Sequence, residues 1–427
     1  FNPEPFADFI DAFIIGEGEG IVSRVLDIIR DGKMEGLDRH AILRQLADVS
    51  GVYVPSLYVP IYNEDGEFKG YDIAEGVPKT IKRHFEMLTS GGETVVATNY
   101  TEFGAMYIIE VARGCGRHCR FCMAGYCFRV PRVRPLDILK EGVERAEKLG
   151  KKVGLMGAAI SDYPEVDELV KDMRYSCASL RADSLTQAVV DGLADSGQKT
   201  ITIAPETGSE RLRRVINKGI SEEHLQNAAT LSAKSGIQHM RLYIMIGLPT
   251  ETNEDIEAIV GLAERTQAHM EKVGCKGRLT LSINPFIPKP FTPFQWMAMD
   301  NQKVVEKKLQ YIKKALQKNR RIEVLVESPK EAYIQGVLAR GDRRLGAVIA
   351  ACAADRGSKS FKSEMKAAGL DMDNMNYRER SFDEFLPWSH LDMGMQEGYL
   401  EMEWQRSLDE AYTPPCAVGC KRCGVCK

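Results

Sequence analysis

The chain has 427 residues, of which 44% are apolar and 27% charged, an ordinary composition for a globular protein with one large domain and flanking modules. The formal net charge of -3 argues against a general nucleic-acid-binding surface, and we find neither a signal-peptide pattern nor an apolar run near the ~20 residues that cross a bilayer. The 11 cysteines fall largely into two tight clusters, which favours metal ligation in a reducing compartment over a disulfide framework. We therefore expect a cytoplasmic protein without membrane contact.

The first 100 residues predict helices and short strands. Residues 1–19 read either as the last strand of a sheet that lies outside this sequence or as an ordinary strand–glycine–helix turn. Apolar periodicity predicts helices within residues 20–50, followed by short strands. The turn Asn63-Glu-Asp-Gly66 indicates a β-hairpin.

Residues 101–300 predict an α/β domain, because short apolar segments alternate with amphipathic helices. This pattern is typical of a parallel sheet with right-handed crossovers, and six such units give a partial (β/α)6 barrel of the TIM type. Functional residues are then expected at the carboxyl ends of the strands. The strands are predicted at residues 106–112, 152–157, 176–180, 200–204, 240–246 and 279–285.

A group of three cysteines directly follows the first of these strands. Cys115, Cys119 and Cys122 are separated by four and three positions, and Phe121 precedes the last of them. Three thiolates in one loop can hold one face of a [4Fe–4S] cluster and leave one iron open to a non-protein ligand. Phe121 would form an apolar wall beside that iron. The alternatives are a zinc loop or a group of inert core thiols.

The pattern CxxxCxΦC, in which Φ is aromatic, resembles the signature of the radical S-adenosylmethionine (radical SAM) superfamily. The resemblance implies that the open iron chelates the amino and carboxylate groups of S-adenosylmethionine (SAM). Reductive cleavage, with electrons from a protein such as flavodoxin or ferredoxin, then yields methionine and a 5′-deoxyadenosyl radical that abstracts hydrogen from a substrate.

The ends of the second, third and fourth predicted strands carry further candidate residues. By resemblance, Met156, Gly157 and Ala158 occupy the position whose backbone receives the methionine amino group, together with Ser161, which otherwise reads as a helix N-cap. Arg181 must find an anion, which is the methionine carboxylate, the substrate or Asp183. Glu206 resembles a glutamate placed near the cofactor's polar groups, and the same stretch also reads as a helix start with a capping box over residues 207–210.

The last two strand ends strengthen the resemblance. Ile246 and Gly247 belong to a segment that resembles the superfamily's GLPxET motif, which packs against adenine. Asn284 begins a proline-rich loop, residues 284–296, very like the NxFxPKPxTPFQW loop of methylthiotransferases and several cobalamin-associated radical SAM proteins. It would reach the ribose or methionine part of the cofactor, and the aromatic residues of the loop would wall the barrel mouth.

Residues 301–410 predict a mostly helical extension with one strand near 322–328, and residues 411–427 a metal-binding tail. The basic run from Lys313 to Arg321 reads as a solvated helix face or an RNA contact. His390 reads as a packed residue or a metal ligand. The tail places four thiols within eleven residues, which indicates a second [4Fe–4S] cluster or a structural zinc ion held by Cys416, Cys420, Cys423 and Cys426.

A narrower likeness covers nearly the whole chain and resembles cobalamin-domain-associated radical SAM proteins of undetermined reaction. It implies that residues 1–22 are the remnant of a cobalamin-binding-type Rossmann-like domain, that residues 23–100 are a lead-in, and that cobalamin is possible in a longer protein. The expected function is radical functionalisation of an unactivated C–H bond, by methyl or methylthio transfer to a macromolecule such as RNA or protein. The alternatives are a radical SAM enzyme acting on a small molecule or cofactor precursor, and a non-catalytic iron–sulfur electron carrier.

Overall fold

The computed structural model describes residues 1–171, 173–354 and 361–426. The hairpin prediction is confirmed, because two antiparallel strands flank the turn that begins at Asn63. Asp38 caps the second helix, its carboxylate accepting from the Ala41 N–H at 2.8 Å. The elements of this lead-in are β1 Phe13–Ile14, α1 Ile21–Met34, α2 Arg39–Ala47, β2 Val52–Tyr53, β3 Tyr58–Tyr62, β4 Phe68–Ile73 and β5 Ile81–Lys82.

A parallel sheet that follows chain order forms the centre of the molecule. The remaining strands of the chain are β6 Met106–Glu110, β7 Ala112–Arg113, β8 Arg132–Val133, β9 Lys152–Met156, β10 Tyr175–Ser176, β11 Thr200–Glu206, β12 His239–Ile246, β13 Leu279–Pro285, β14 Ile322–Val326 and β15 Leu391–Asp392. Within the sheet they are grouped as β6-β9-β10 and β11-β12-β13-β14, and a parallel bridge between Leu180 and Ile203 joins the two groups. The α/β class with a parallel sheet is confirmed.

The sheet differs from the six-strand prediction in three places. It gains β14, which pairs in parallel with β13. This strand was expected in the C-terminal extension but belongs to the central sheet. The predicted strand 176–180 shrinks to β10, because the Tyr175 N–H bonds to the Ser196 hydroxyl and the Leu180 N–H crosses to Thr202. The first strand breaks after Glu110, where the chain turns aside so that β7 pairs antiparallel with β8.

Helices cover one face of this sheet. Every second residue of β12 is buried against them, whereas the residues between, which include Arg241 and Tyr243, are half-buried on the open face. The helices are α3 Leu136–Lys148, α4 Val166–Leu169, α5 Gln187–Asp195, α6 Glu210–Val215, α7 Glu222–Lys234, α8 Asn253–Lys272 and α9 Gln302–Leu316. Within the described ranges, none of the helices has the length and apolar character needed to cross a membrane.

A second apolar core joins the lead-in to the C-terminal extension. In its described residues the extension contains β15 and five helices, α10 Pro329–Arg340, α11 Leu345–Ala354, α12 Phe361–Ala367, α13 Met372–Tyr377 and α14 Tyr399–Leu408. The aromatic residues of the loop 284–296 belong largely to this core: Phe294 is fully buried and its ring lies 5.7 Å from that of Trp404. The expectation that they wall the barrel mouth is therefore wrong for the buried rings Phe286, Phe294 and Trp296.

Candidate active site

The three-cysteine loop begins at the carboxyl edge of the sheet. Gly114 has a φ of +80°, and a Cβ there would lie 2.2 Å from the Phe128 carbonyl oxygen, so only glycine fits. The Cys115 N–H then donates to the Ala124 carbonyl at 3.1 Å, which closes the loop on itself. Cys119 is buried and Cys115 and Cys122 are half-buried, so the loop presents three partly shielded thiols.

The surroundings of these thiols raise the pKa of two of them. Burial, reinforced by the neighbouring Cys119 sulfur, raises the pKa of Cys115, and the same two causes raise the pKa of Cys122 to about 12. In the part of the chain that the structure describes, no three His, Cys, Asp or Glu side chains converge as the ligands of one ion do.

A chain of ion pairs lies beside the cysteine loop. Arg117 donates to Asp162 at 2.7 and 2.6 Å and to Asp183 at 2.9 Å, while Arg181 donates to both oxygens of Asp183 at 3.0 Å. Of the three anions considered for Arg181, the structure therefore shows Asp183. Burial alone would raise the pKa of Asp162, but the hydrogen bonds from Arg117 and Ser184 outweigh it and the pKa falls.

Ser161 does not cap a helix. Its hydroxyl accepts from the Arg181 N–H at 3.3 Å and from the Ser184 hydroxyl at 3.0 Å, which ties the second strand end to the third. The preceding residues lie against the strand that feeds the cysteine loop, because the Met156 carbonyl accepts from Val111 at 2.8 Å. A Cβ on Gly157 would lie 3.4 Å from the Ala112 oxygen, and the side chains of Met156 and Ala158 are exposed.

Glu206 pairs with Lys218, a residue that the sequence analysis did not select. The two side chains meet at 2.8 Å, and Lys218 is only 8% exposed. Burial alone would lower the pKa of Lys218, but Glu206 and the sulfur of Cys119 outweigh it and raise the pKa. This pair therefore lies beside the cysteine loop.

The capping box expected at residues 207–210 does not form, because helix α6 begins later. The Ser209 hydroxyl caps α6 by accepting from the Leu212 N–H at 3.0 Å, and Thr207 is buried.

The last two strand ends are placed differently from one another. The Ile246 side chain is fully buried in the helix-covered core, and the Gly247 N–H donates to Glu251 at 2.8 Å. Glu251 is in turn held by Lys308 at 2.6 Å, so this segment is fixed by an ion pair to α9. Asn284 lies half-buried opposite Met245 on the open face of the sheet.

The C-terminal tail lies directly on the cysteine loop. The Cys416 N–H donates to the Gly116 carbonyl at 2.8 Å, and the buried side chain of Arg129 donates to the Cys416 and Cys423 sulfurs at 3.3 and 3.5 Å. Sequence reasoning found both cysteine groups but not their contact. The sequence gives little reason to select Arg129, because Arg132 and Arg134 lie close by and no spacing separates one of the three from the others.

His390 is packed among aromatic rings. Its ring is 2% exposed and lies 4.6 Å from the ring of Tyr53 and 4.7 Å from that of Tyr71. Burial lowers its pKa to about 3.

Comparison with known families agrees with the cysteine loop. The model of the radical SAM superfamily matches residues 109–263, and the N-terminal model of radical SAM proteins matches residues 1–55. An uncharacterised protein of Methanocaldococcus jannaschii is 36% identical over 351 residues, which are 80% of this chain and 69% of that protein.

The chain belongs to the radical SAM superfamily.

Other relatives are more distant. The ribosomal protein uS12 methylthiotransferase RimO of Pseudothermotoga lettingae is 23% identical over 49% of this chain, and the match spans 52% of that enzyme. Among solved structures, the radical SAM methyltransferase TsrM from Kitasatospora setae matches with a TM-score of 0.48 and 14% identity, over 72% of this chain and 56% of its own. The chain thus spans about half the length of these two proteins.

Membership of the radical SAM superfamily identifies an enzyme that uses a [4Fe–4S] cluster and SAM, with an exact reaction that the relatives do not fix. The cysteine loop, at residues 115–122, lies within the matched region.

Proposed function

We propose that Cys115, Cys119 and Cys122 hold the SAM-binding cluster and that the protein transfers a methyl or methylthio group to a macromolecule. The observation that carries the first part is the position of the loop, which follows β6 and β7 at the carboxyl edge of the sheet. When cluster and SAM are both bound, their chemistry is the reductive cleavage of SAM to methionine and a 5′-deoxyadenosyl radical.

The charged groups around the loop fit the methionine end of SAM. That end carries one carboxylate and one ammonium group, and the loop is bordered by cations, Arg181 and Lys218, and by carboxylates, Glu206 and Asp162. The sulfur of Cys119 lies close enough to Arg181 and Lys218 to influence both. We infer that these residues orient the two charged groups, and that the half-buried Asn284 on the open face contacts the ribose or methionine part of the cofactor.

Group transfer supports an enzyme larger than the barrel alone. A deoxyadenosyl radical removes hydrogen, and adding a group to the resulting carbon radical requires a donor held next to it. Cobalamin on a further domain would supply methyl, and a second cluster at Cys416–Cys426 would supply sulfur. The likeness to a methylthiotransferase favours a macromolecular substrate, while a small-molecule substrate is the second candidate. A non-catalytic electron carrier would have no need of the charged residues at the strand ends, which argues against that alternative.

Replacing Cys115, Cys119 and Cys122 together by Ala tests the first part. The expected result is loss of 5′-deoxyadenosine formation in anaerobically reconstituted, dithionite-reduced protein, because no thiolate remains to hold the cluster. Cys127→Ala is the matched control, since Cys127 is half-buried in the same segment and pairs with no other cysteine. Cleavage that persists unchanged in the triple variant contradicts the proposal.

The substrate class is tested by product mass. RNA and total protein from a deletion strain should lack a methyl or methylthio mark that the wild-type strain carries. If both are unchanged and a small metabolite differs instead, the small-molecule reading replaces the macromolecular one.

A further inference from the structure

The open face of the sheet carries polar side chains that lack partners. Alternation along β11, β12 and β13 turns every second residue away from the helices. Beyond the amino ends of these strands, five of those residues are polar, half-buried and without a side-chain hydrogen bond or ion pair to any described residue: Thr202, Arg241, Tyr243, Ser282 and Asn284. Because polar groups that a fold shields from water are normally paired, this group indicates a surface that binds a ligand.

The register of the strands places these side chains next to one another. Arg241 on β12 is in register with Thr202 on β11, and Tyr243 is in register with Ser282 on β13. Asn284 follows two residues after Ser282 on the same face. Neighbouring strands are about 4.8 Å apart, so these residues form one continuous polar surface that extends from Arg241 to the carboxyl ends of the strands.

Arg241 carries the charge of this surface. Its Nε atom is buried without a partner, and no carboxylate among the described residues lies within ion-pair distance of its guanidinium. At the same level of the sheet, Glu323 lies two strands away and accepts from the Thr280 hydroxyl at 3.2 Å. A guanidinium stays protonated in proteins, and shielding it from water without an anion is unfavourable. The surface around Arg241 is therefore complementary to an anion.

The carboxylate of SAM is not the anion that this position suits. The methionine end of SAM is assigned above to the strand ends, where Glu206 and Lys218 meet at 2.8 Å. Glu206 is in register with Ile244, three residues beyond Arg241, so at about 3.3 Å per residue the backbone of Arg241 lies about 10 Å closer to the amino ends. SAM carries a single carboxylate, and the cations beside the cysteine loop account for it. The anion at Arg241 therefore belongs to a second ligand.

We infer that Arg241 binds an oxyanion of the substrate, either a carboxylate or a phosphate, on the open face of the sheet. The planar guanidinium matches two oxygens of such a group. The hydroxyls of Tyr243 and Ser282 then lie between this acidic group and the strand ends, where they can hydrogen-bond to the rest of the substrate. The inference rests on the SAM-binding cluster proposed above, and it adds that the substrate is acidic. The carbon that reacts is expected several bonds away from the acidic group, because the radical forms at the strand ends.

Chemical labelling of arginine tests the oxyanion site directly. The full chain is treated with phenylglyoxal, with and without inorganic phosphate or succinate at matched ionic strength, and peptide mass spectrometry follows modification of Arg241. Labelling should slow roughly 10-fold when one of these probes is present at about ten times its dissociation constant, because only free Arg241 reacts. Protection by phosphate indicates a phosphorylated substrate, and protection by succinate indicates a carboxylic acid.

Arg278 is the matched control for labelling. It is exposed, directly precedes β13, and its side chain has no partner among the described residues, so neither probe should slow its modification. An Arg241 that does not react, or that reacts at the same rate with and without both probes, overturns the inference.

Arg241→Met tests the same residue in the reaction. The change breaks no hydrogen bond among the described residues, so the variant should fold. In a complemented deletion strain, the product should fall roughly 10-fold or more, the loss expected for a hydrogen bond to a charged group. This loss should exceed any decrease in 5′-deoxyadenosine formation by the purified variant. Arg241→Lys keeps the charge and should recover part of the product.

Arg278→Met is the control variant and should form product as wild type does. If Arg241→Met forms as much product as Arg278→Met, the assignment is overturned. The two proposals fail separately: a wild-type protein that forms no 5′-deoxyadenosine contradicts the proposed cluster, whereas the labelling of Arg241 decides on the oxyanion site in either case.

Discussion

The two halves of the sheet are built differently although they form one continuous series. Strands β11 to β14 contain 7, 8, 7 and 5 residues and pair in long registers, whereas β6, β9 and β10 contain 5, 5 and 2. The first half carries the cysteine loop, and one isolated bridge joins it to the second. The first half has fewer hydrogen bonds between strands, and its cysteine loop is held by ion pairs and by contacts with the C-terminal tail. The half that holds the candidate site therefore depends on residues far away in sequence.

The largest expected effect comes from Arg120→Met. Arg120 and Glu403 form an ion pair with both side chains fully buried, and Arg120 also donates to the Val215 and Ala411 carbonyls at 2.8 and 2.7 Å. Removing one partner leaves a buried charge, so the free energy of unfolding should fall by about 3–5 kcal/mol. Chemical denaturation measures the loss.

Hydrogen exchange on the Arg120 variant sharpens the comparison. Amides of β6 and β9 should lose protection while those of β12 and β13 keep theirs. Arg265→Met is the control, because its pair with Glu222 is exposed and should contribute less than about 1 kcal/mol. Equal loss of protection in both halves contradicts the idea that they are stabilised separately.

A smaller effect is expected from Thr413→Val. The buried hydroxyl of Thr413 lies 2.9 Å from both carboxylate oxygens of Glu403, and its backbone exchanges two bonds of 2.9 Å with Asn217. Losing the hydroxyl leaves Glu403 one donor short, which should cost about 1–3 kcal/mol in thermal or chemical unfolding. Thr200→Val, at the start of β11 in the second half, is the control: the side chain is half-buried, no hydrogen bond of its hydroxyl occurs among the described residues, and stability should change by less than about 0.5 kcal/mol. Matching losses would remove the distinction between tail-supported and ladder-supported regions.

The smallest effect concerns Glu19 and depends on pH. Hydrogen bonds from Arg113 lower the pKa of Glu19 from 4.5 to about 2. A lowered folded-state pKa contributes stability above the unfolded value, which is lost as pH falls from about 4.5 to about 2. Because Glu19 is 45% exposed, the pair should contribute less than about 1 kcal/mol.

Glu19→Gln should therefore lower the free energy of unfolding at pH 7, and the difference from wild type should narrow at pH 3. Urea titrations at both pH values measure this. A difference that stays constant with pH would mean that Glu19 acts through packing and not through its charge.

The sequence predicted the regular parts of the fold well because they have local causes. Alternating apolar runs located β9, β12 and β13 within about one residue, and a cysteine spacing located the loop. The sequence predicted β14 as a strand but did not assign it to the central sheet, because an apolar pattern does not show which strand it will pair with. Lys218 and Arg129 were missed for a related reason, because their partners stand 12 and 287 positions away and nothing local marks them. Ile246 was selected by motif, yet alternation along β12 turns its side chain into the core.

The contact between Cys416 and Gly116 sets an order of events during synthesis. The Arg129–Cys416 bond joins residues 287 positions apart, and at translation rates of about 5–20 residues per second the second partner emerges roughly 15–60 s after the first. During that interval the loop at 115–122 lacks its tail and its thiols are uncovered. Protection of those thiols from oxidation, or timely delivery of metal, is therefore a requirement of the nascent chain, and a ribosome stalled before residue 411 would present an open loop.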